Sequence, residues 1–254
     1  MKKLFVGLVV SLLVAGLSAQ TNESEVATLV ELTGTVSIWT AESGQWEKAE
    51  EGMSLLAGDK VKTGANSSAI IMTPEETNFS LEENSEFVVG EKKSAVETWY
   101  LNLGKLLVKV QKKLSAGSKL EIKTPTAVCA VRGTEFALES SAEDTSLAVL
   151  DGEVFTASRV EPEAREIVVV VNQEIVIPRK VAGILRPVPL GVRWAWAHRR
   201  RAYIVNRLVH WREFLKRLPP EKRILLRRQA IRRVQRQIQR IERRTQPIRH
   251  PHYR

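Results

Sequence analysis

The stretch Thr124–Leu138, "TPTAVCAVRGTEFAL", decides how the rest of the chain is read. It is small and apolar, runs like a strand to Val131, stops on Arg132-Gly133-Thr134, and resumes with Phe136 and Leu138. A glycine inside such a run marks a turn or bulge that re-aims the chain. Thr134 can hydrogen-bond the backbone freed there. Arg132 can lay its stem on a β surface and give its guanidinium to a carbonyl or to a carboxylate such as Glu135 or Asp151. The alternative role for Arg132 is a clamp for a ligand carboxylate.

The same grammar extends in both directions. "VELTGTVSIW" sets Val30, Leu32, Val36 and Ile38 around Gly34, and "YLNLGKLLVKV" sets Leu106, Val108 and Val110 beyond Gly104. "LAVLDGEVFTA" repeats it around Gly152, where Asp151-Gly152 reads as a hairpin turn. Gly58-Asp59 and Gly64-Ala65-Asn66 supply further turns, and "NFSLEENSEFVV" and "KLEIKTP" supply further alternation. No stretch from Ala27 to about Ile177 carries a helical period. The region is expected to be all-β, with many short strands.

The order of motifs is specific. "G-x-x-L-x-x-G-D-x-V-x-T-G-x-x-S-x-A" over Gly52–Ala69 is followed by "L-x-L-G-K-L-x-V", then by "TPTAVCAVRGTEF", then by "T-S-L-A-V-L-D-G-E-V". Together these resemble the FecR domain family over roughly residues 28–177, and Val131-Arg132-Gly133-Thr134-Glu135-Phe136 is the most specific part. One departure is "MTPEETNFSL", where Pro74-Glu75-Glu76-Thr77 replaces the family's Asp-Gly turn and lengthens the expected hairpin. The resemblance implies an all-β domain, twisted and solenoid-like or sandwich-like. The family's founding member is a periplasmic relay between an outer-membrane transporter and a sigma factor, with a cytoplasmic segment and a membrane helix. This sequence shows neither, so the resemblance implies the domain and its compartment rather than direct sigma-factor control.

The first residues, "MKKLFVGLVVSLLVAGLSAQ", place Lys2 and Lys3 before an uncharged run from Leu4 to Leu17 and small residues near Ala19. That is the layout of a secretory signal peptide, with an apolar run short of the ~20 residues a membrane span needs. A periplasmic or secreted location follows as the expectation, with residues 1–19 as the signal. Cys129 is the one cysteine in the sequence, which excludes an intramolecular disulfide and a multi-cysteine metal cluster.

The net charge of +10 conceals two opposed regions. Residues 181–254 hold 21 Lys and Arg against 3 Asp and Glu, a balance of +18, while the first 180 residues carry −8. The boundaries read as a β domain over 26–180, a linker over 181–192 containing Pro187, Pro189 and Gly191, and a basic helical tail over 193–254. In the tail Ala197, Ile204, Leu208, Trp211, Leu215 and Leu218 form one helical seam. Pro219-Pro220 ends that helix and opens the next, whose seam is Ile224, Ile231, Val234, Ile238 and Ile241. An α-helical hairpin or coiled coil is the expectation, and its seams leave self-association open. Arg228, Arg232, Arg233, Arg236, Arg240, Arg243 and Arg244 lie opposite the second seam and are the candidate polyanion-binding residues. Arg227 falls on the apolar side, where snorkelling can accommodate it.

The expected partners are an envelope protein or an anionic envelope surface (lipid, lipopolysaccharide or cell-wall polymer), not nucleic acid, since no zinc-finger or RNA-binding motif is present. Trp194 and Trp196 beside Arg199, Arg200 and Arg201 suit a membrane surface. No G-x-S-x-G, H-E-x-x-H or phosphate loop occurs, and His198, His210, His250 and His252 pair with no nucleophile motif. No enzyme and no cofactor is expected; a glycan hydrolase built from distant carboxylates is the remote alternative. The acidic pairs Glu75-Glu76 and Glu82-Glu83 read as solvated turns.

Overall fold

The computed structural model describes residues 25–111, 117–161, 165–181 and 183–245, without the side chains of residues 92, 93, 234 and 242–245. The signal segment lies outside the described residues. The strands in chain order begin with β1 (Ala27–Thr33), β2 (Val36–Trp39), β3 (Trp46–Lys48), β4 (Ser54–Leu55), β5 (Lys60–Thr63) and β6 (Ser68–Met72). They continue with β7 (Thr77–Leu81), β8 (Glu86–Lys93), β9 (Val96–Val110), β10 (Lys119–Lys123), β11 (Ala127–Val131) and β12 (Glu135–Ser140). The last are β13 (Asp144–Asp151), β14 (Glu153–Ser158), β15 (Ile167–Val170), β16 (Gln173–Pro178) and β17 (Val188–Pro189). Two helices follow, α1 (Ala195–Arg217) and α2 (Pro220–Thr245).

The strands make two sheets that share one strand. The first runs β4-β1-β6-β7-β9-β12-β13-β16-β17. The second runs β3-β2-β5-β8-β9-β10-β11-β14-β15. Strand β9 pairs through Val96–Leu103 in the second sheet and through Gly104–Val110 in the first. Gly104 is therefore not a turn between two strands, as its surroundings suggest. It is the bend inside one long strand, with φ +98° and a Cβ position that would fall 2.3 Å from Ser85 Oγ. No side chain fits there.

The other punctuating residues also mark corners. Positive φ at Gly34, Asn66, Asn84, Gly133, Gly152 and Asn172 coincides with places where the chain steps from one sheet to the other. Asp151-Gly152 is such a corner and not a hairpin, because β13 pairs with β12 and β16 while β14 pairs with β11 and β15. Glycine and asparagine tolerate the left-handed backbone that a sharp change of direction needs. Repeated stepping between layers gives a sandwich-like domain whose two inner faces share one core. Phe79 from the first sheet stacks on Trp99 at 4.2 Å, and Phe87 from the second lies 5.4 Å from the same indole. Leu29, Ile71, Val108, Phe136 and Val149 meet Ile38, Val61, Ile122, Cys129 and Val154 in that core.

The first sheet is apolar on its outer face too. Val30, Ile70, Met72, Leu107, Ala137, Ala148 and Leu150 alternate with the core residues and pack against Trp194, Ala197, Ile204, Leu208 and Trp211 of the helical region. Strands buried on both faces read as continuous apolar runs, and "SAIIM" and "SLAVL" are of that kind. Both tail helices are present, but they dock on the β domain instead of pairing as a hairpin or coiled coil: the α1 seam is turned to the first sheet, while on α2 Ile231 is buried and Ile241 is exposed. α1 covers the first sheet, and α2 packs against β3 and β4. The end of the expected linker is tied down as well: β17 pairs with β16, and Gly191 N donates to Glu174 Oε2 at 2.7 Å.

Candidate functional site

Arg132-Gly133-Thr134 carries the chain from β11 in the second sheet to β12 in the first. Gly133 has φ +148°, Thr134 Oγ1 donates to Glu153 O at 2.9 Å, and Val110 N donates to Thr134 O at 3.1 Å. The motif is thus a corner with its freed backbone satisfied, as its residue types suggest. Arg132 finds neither expected carboxylate. Glu135 is taken by Lys109 Nζ at 2.9 Å and Arg201 Nε at 3.1 Å, and among the described residues Arg132 makes no ion pair. It stands exposed at the rim of a cleft of about 780 Å³ that also includes Gly152, Phe155 and Val170.

The helical layer is built on charge. Carboxylates of the first sheet and its turns meet basic and aromatic groups of α1 and the turn just before it one after another. Glu31 accepts from Arg207 Nη2 at 3.0 Å, from Trp211 Nε1 at 3.0 Å and from the Tyr203 hydroxyl. Burial pushes the Glu31 carboxyl up, but these donors outweigh it and hold it below the ordinary carboxylate value. Glu139 accepts from Trp196 Nε1 at 2.9 Å and pairs with Arg193 at 3.2 Å. Glu82 pairs with Arg200, and Glu76 pairs with Arg212 at 2.7 Å. The residues that read as solvated turns, Glu76 and Glu82, are therefore docking points. Glu76 is supplied by the very segment that departs from the family pattern.

α2 repeats the arrangement. Arg227 does not snorkel: it is 2 % exposed and bonds Asp59, with Nη2 to Oδ1 at 3.1 Å. Arg223 pairs with Glu25 at 2.9 Å, and burial holds the Glu25 carboxyl above its ordinary value despite Thr28 and Arg223. Of the candidate polyanion-binding residues, Arg233 is drawn into a 2.8 Å pair with Glu50. Arg228, Arg232, Arg236 and Arg240 are exposed on the side away from the buried Ala230 and Ile231. The side chains of Arg243 and Arg244 lie outside the described residues. The membrane-surface reading of the tryptophans does not hold. Trp194 is fully buried with Nε1 on Glu174 at 2.7 Å, and Trp196 is held by Glu139.

Magnitudes rank these forces. An exposed ion pair contributes roughly 0–1 kcal/mol. A buried tryptophan withdraws about 150–250 Å² from water, worth several kcal/mol at ~25 cal/mol/Å². Trp194 and Trp211 thus hold α1 on the sheet, and the carboxylates set its register. Glu31 was the signal missed in the sequence: a lone acid on the outer face of an apolar strand, with no local partner.

Among the described residues no group of three or more His, Cys, Asp and Glu is arranged to hold a metal ion, and no helix is long and apolar enough to cross a membrane. Cys129 is buried, and burial pushes its thiol up to about 12.

Two sheets sharing a strand, with glycine and asparagine corners and a docked helical cover, define a sandwich-like β domain. Within it, residues 59–155, from the turn before β5 into β14, match the family model described as FecR protein. Two crystal structures of a candidate anti-sigma factor from Parabacteroides distasonis ATCC 8503 are similar at 16 % identity, with TM-scores of 0.46 and 0.47. The similarity covers 54 % of this chain and 63 % and 62 % of those chains, less than two thirds of either. No curated protein matches the chain.

Proposed function

We propose that the protein is an exported, non-enzymatic recognition module of the cell envelope that works by binding a protein partner through its FecR domain. The observation that carries this reading is the match of residues 59–155 to the FecR model. The layout of the first twenty residues supports export. Fractionation of the native protein with amino-terminal sequencing tests it: the mature chain should begin at or near Gln20, outside the cytoplasm. An intact Met1 in the cytosolic fraction would overturn it.

A second reading has its own observation. Arg193, Arg200, Arg201, Arg207, Arg212, Arg223, Arg227 and Arg233 pair with carboxylates of the β domain, whereas Arg232, Arg236 and Arg240 stand exposed, on the side turned away from the domain. That face suits an anionic envelope surface, and its salt dependence is the test.

A further inference from the structure

We propose that strand β15, the open edge of the second sheet, takes an additional strand from a partner: an extended segment, apolar at alternate positions, with a basic side chain at the end near Val170. The inference deepens the protein-recognition reading by placing the partner on one edge.

Two sheets that do not close have four edges. A sheet edge presents unpaired N–H and C=O groups, and proteins blunt such edges by covering them or by placing Lys or Pro there. Three edges here are blunted. β3 and β4 pack against α2, and β3 also carries the exposed Lys48. β17 is two residues long, and one of them is Pro189, which has no N–H. β15 differs. It is bonded to β14 on one side, from Glu153↔Val170 to Thr156↔Ile167, and among the described residues no strand pairs with its other side. The one device on it is the Gln173 side chain, whose Oε1 accepts from Val170 N at 3.3 Å.

The side chains of this edge are those of an interface. Val169 is fully buried in the core, while Val168 and Val170 are 43 % and 40 % exposed. Phe155, 36 % exposed, stands opposite Val168 on β14 and continues the apolar row. An exposed, uncharged, β-branched edge is a liability unless it has an occupant. Strand addition uses such an edge, with main-chain hydrogen bonds for affinity and alternate side chains for specificity.

The charge at one end selects the occupant. Val170 borders the 780 Å³ cleft at the Arg132-Gly133-Thr134 corner. Asp151 and Glu153 are exposed there and make no ion pair among the described residues, and Arg132 is the cation that faces them. Two carboxylates against one guanidinium leave the rim negative, so it favours a Lys or Arg. An antiparallel segment would bring that residue first, followed by apolar residues over Val168.

The probe is the peptide acetyl-Lys-Thr-Val-Thr-Val-amide, titrated into the full mature chain, with amide hydrogen exchange read residue by residue. The expected result is saturable binding that slows exchange at Val168 and Val170, whose amides face away from β14, by about tenfold or more. A Val168→Lys/Val170→Lys variant should lose this protection while its near-ultraviolet dichroism stays native, because both positions are exposed. A peptide with Glu in place of Lys should bind more weakly, and Asp151→Asn/Glu153→Gln should erase that difference. Unchanged exchange at β15 under saturating peptide overturns the proposal. Protection elsewhere on the domain also overturns it, yet leaves protein recognition standing. Concentration-dependent protection of the same amides without peptide would assign the edge to a second copy of this chain and overturn the peptide occupant.

Discussion

Arg227 of α2 and Asp59, at the turn before β5, form an ion pair across 168 residues of sequence, with both side chains 2 % exposed. The pair joins the tail to the first residue of the FecR match. Asp59 Oδ2 also accepts from Leu56 N at 2.9 Å, so the carboxylate fixes its own turn as well as the helix.

Breaking that pair from one side leaves a buried charge uncompensated. Arg227→Met is expected to destabilise by roughly 3–5 kcal/mol. Arg227→Lys should recover only part of this, because an ammonium cannot reproduce the two-pronged contact. Arg227→Met with Asp59→Asn should cost less than the two single changes together. Urea denaturation of the wild type and these variants checks this, and strict additivity would count against a direct coupling.

At the Arg132-Gly133-Thr134 corner, Gly133→Val should destabilise by about 1–3 kcal/mol, since φ +148° is poorly open to a β-branched residue. Wild-type stability in this variant would remove the corner reading.

Cys129 is expected to resist alkylation in the folded protein, because its thiol is buried and pushed up to about 12. Iodoacetamide labelling across a urea gradient should track global unfolding. Rapid labelling of the native chain at neutral pH would contradict the burial.

Glu31 gives a pH signature. Its folded carboxyl lies below the ordinary value of 4.5, so its charged form adds stability above the unfolded value, and that stability is lost as pH falls through the folded one. Wild type should therefore exceed Glu31→Gln in stability most clearly near neutral pH. The gap should narrow as the pH drops below about 4.5. Urea midpoints of both proteins at about pH 7 and about pH 3, followed by tryptophan fluorescence, measure it. A gap that is flat with pH would mean that Glu31 acts through shape and not through charge.

The exposed arginines of α2 can be separated from the paired ones. Arg232→Gln/Arg236→Gln/Arg240→Gln keeps helix propensity and leaves the Arg227 and Arg223 contacts in place. If the face binds an anionic surface, wild type should bind anionic phospholipid vesicles with steep salt dependence, and the triple variant should lose binding with its helical dichroism intact. Equal, salt-insensitive binding of both proteins would remove the second functional reading.

Much of the fold was legible in short stretches. Alternation in "KLEIKTP" and "AVCAV", and the seven- and four-residue steps from Ala197 to Trp211, specify strands and a helix because each pattern is local. Gly133 was legible as a corner for the same reason. Gly104 and Gly152 were not, since a glycine in a hairpin, at a sheet corner and at a bend within one strand looks alike until the pairing partners are known. The candidate site was legible in residue type and not in arrangement. The arginine-rich face of α2 was visible, while the diversion of Arg227 and Arg233 to Asp59 and Glu50 was not.

By itself the sequence determined the β character of residues 27–177, the two tail helices, the FecR motif order and the opposed charges of the two regions. These follow from side-chain period, backbone tolerance and composition, all set within a few residues. Only the tertiary structure decided that the opposed charges meet. Glu31, Glu76, Glu82 and Glu139 lie more than fifty residues from the groups of the helical layer that they bind, and that pairing depends on α1 settling on the outer face of the first sheet. The same docking puts α2 against two edge strands, while among the described residues no strand pairs with the outer side of β15. Which edge stays free is set by the packing of whole layers, and no local pattern encodes it.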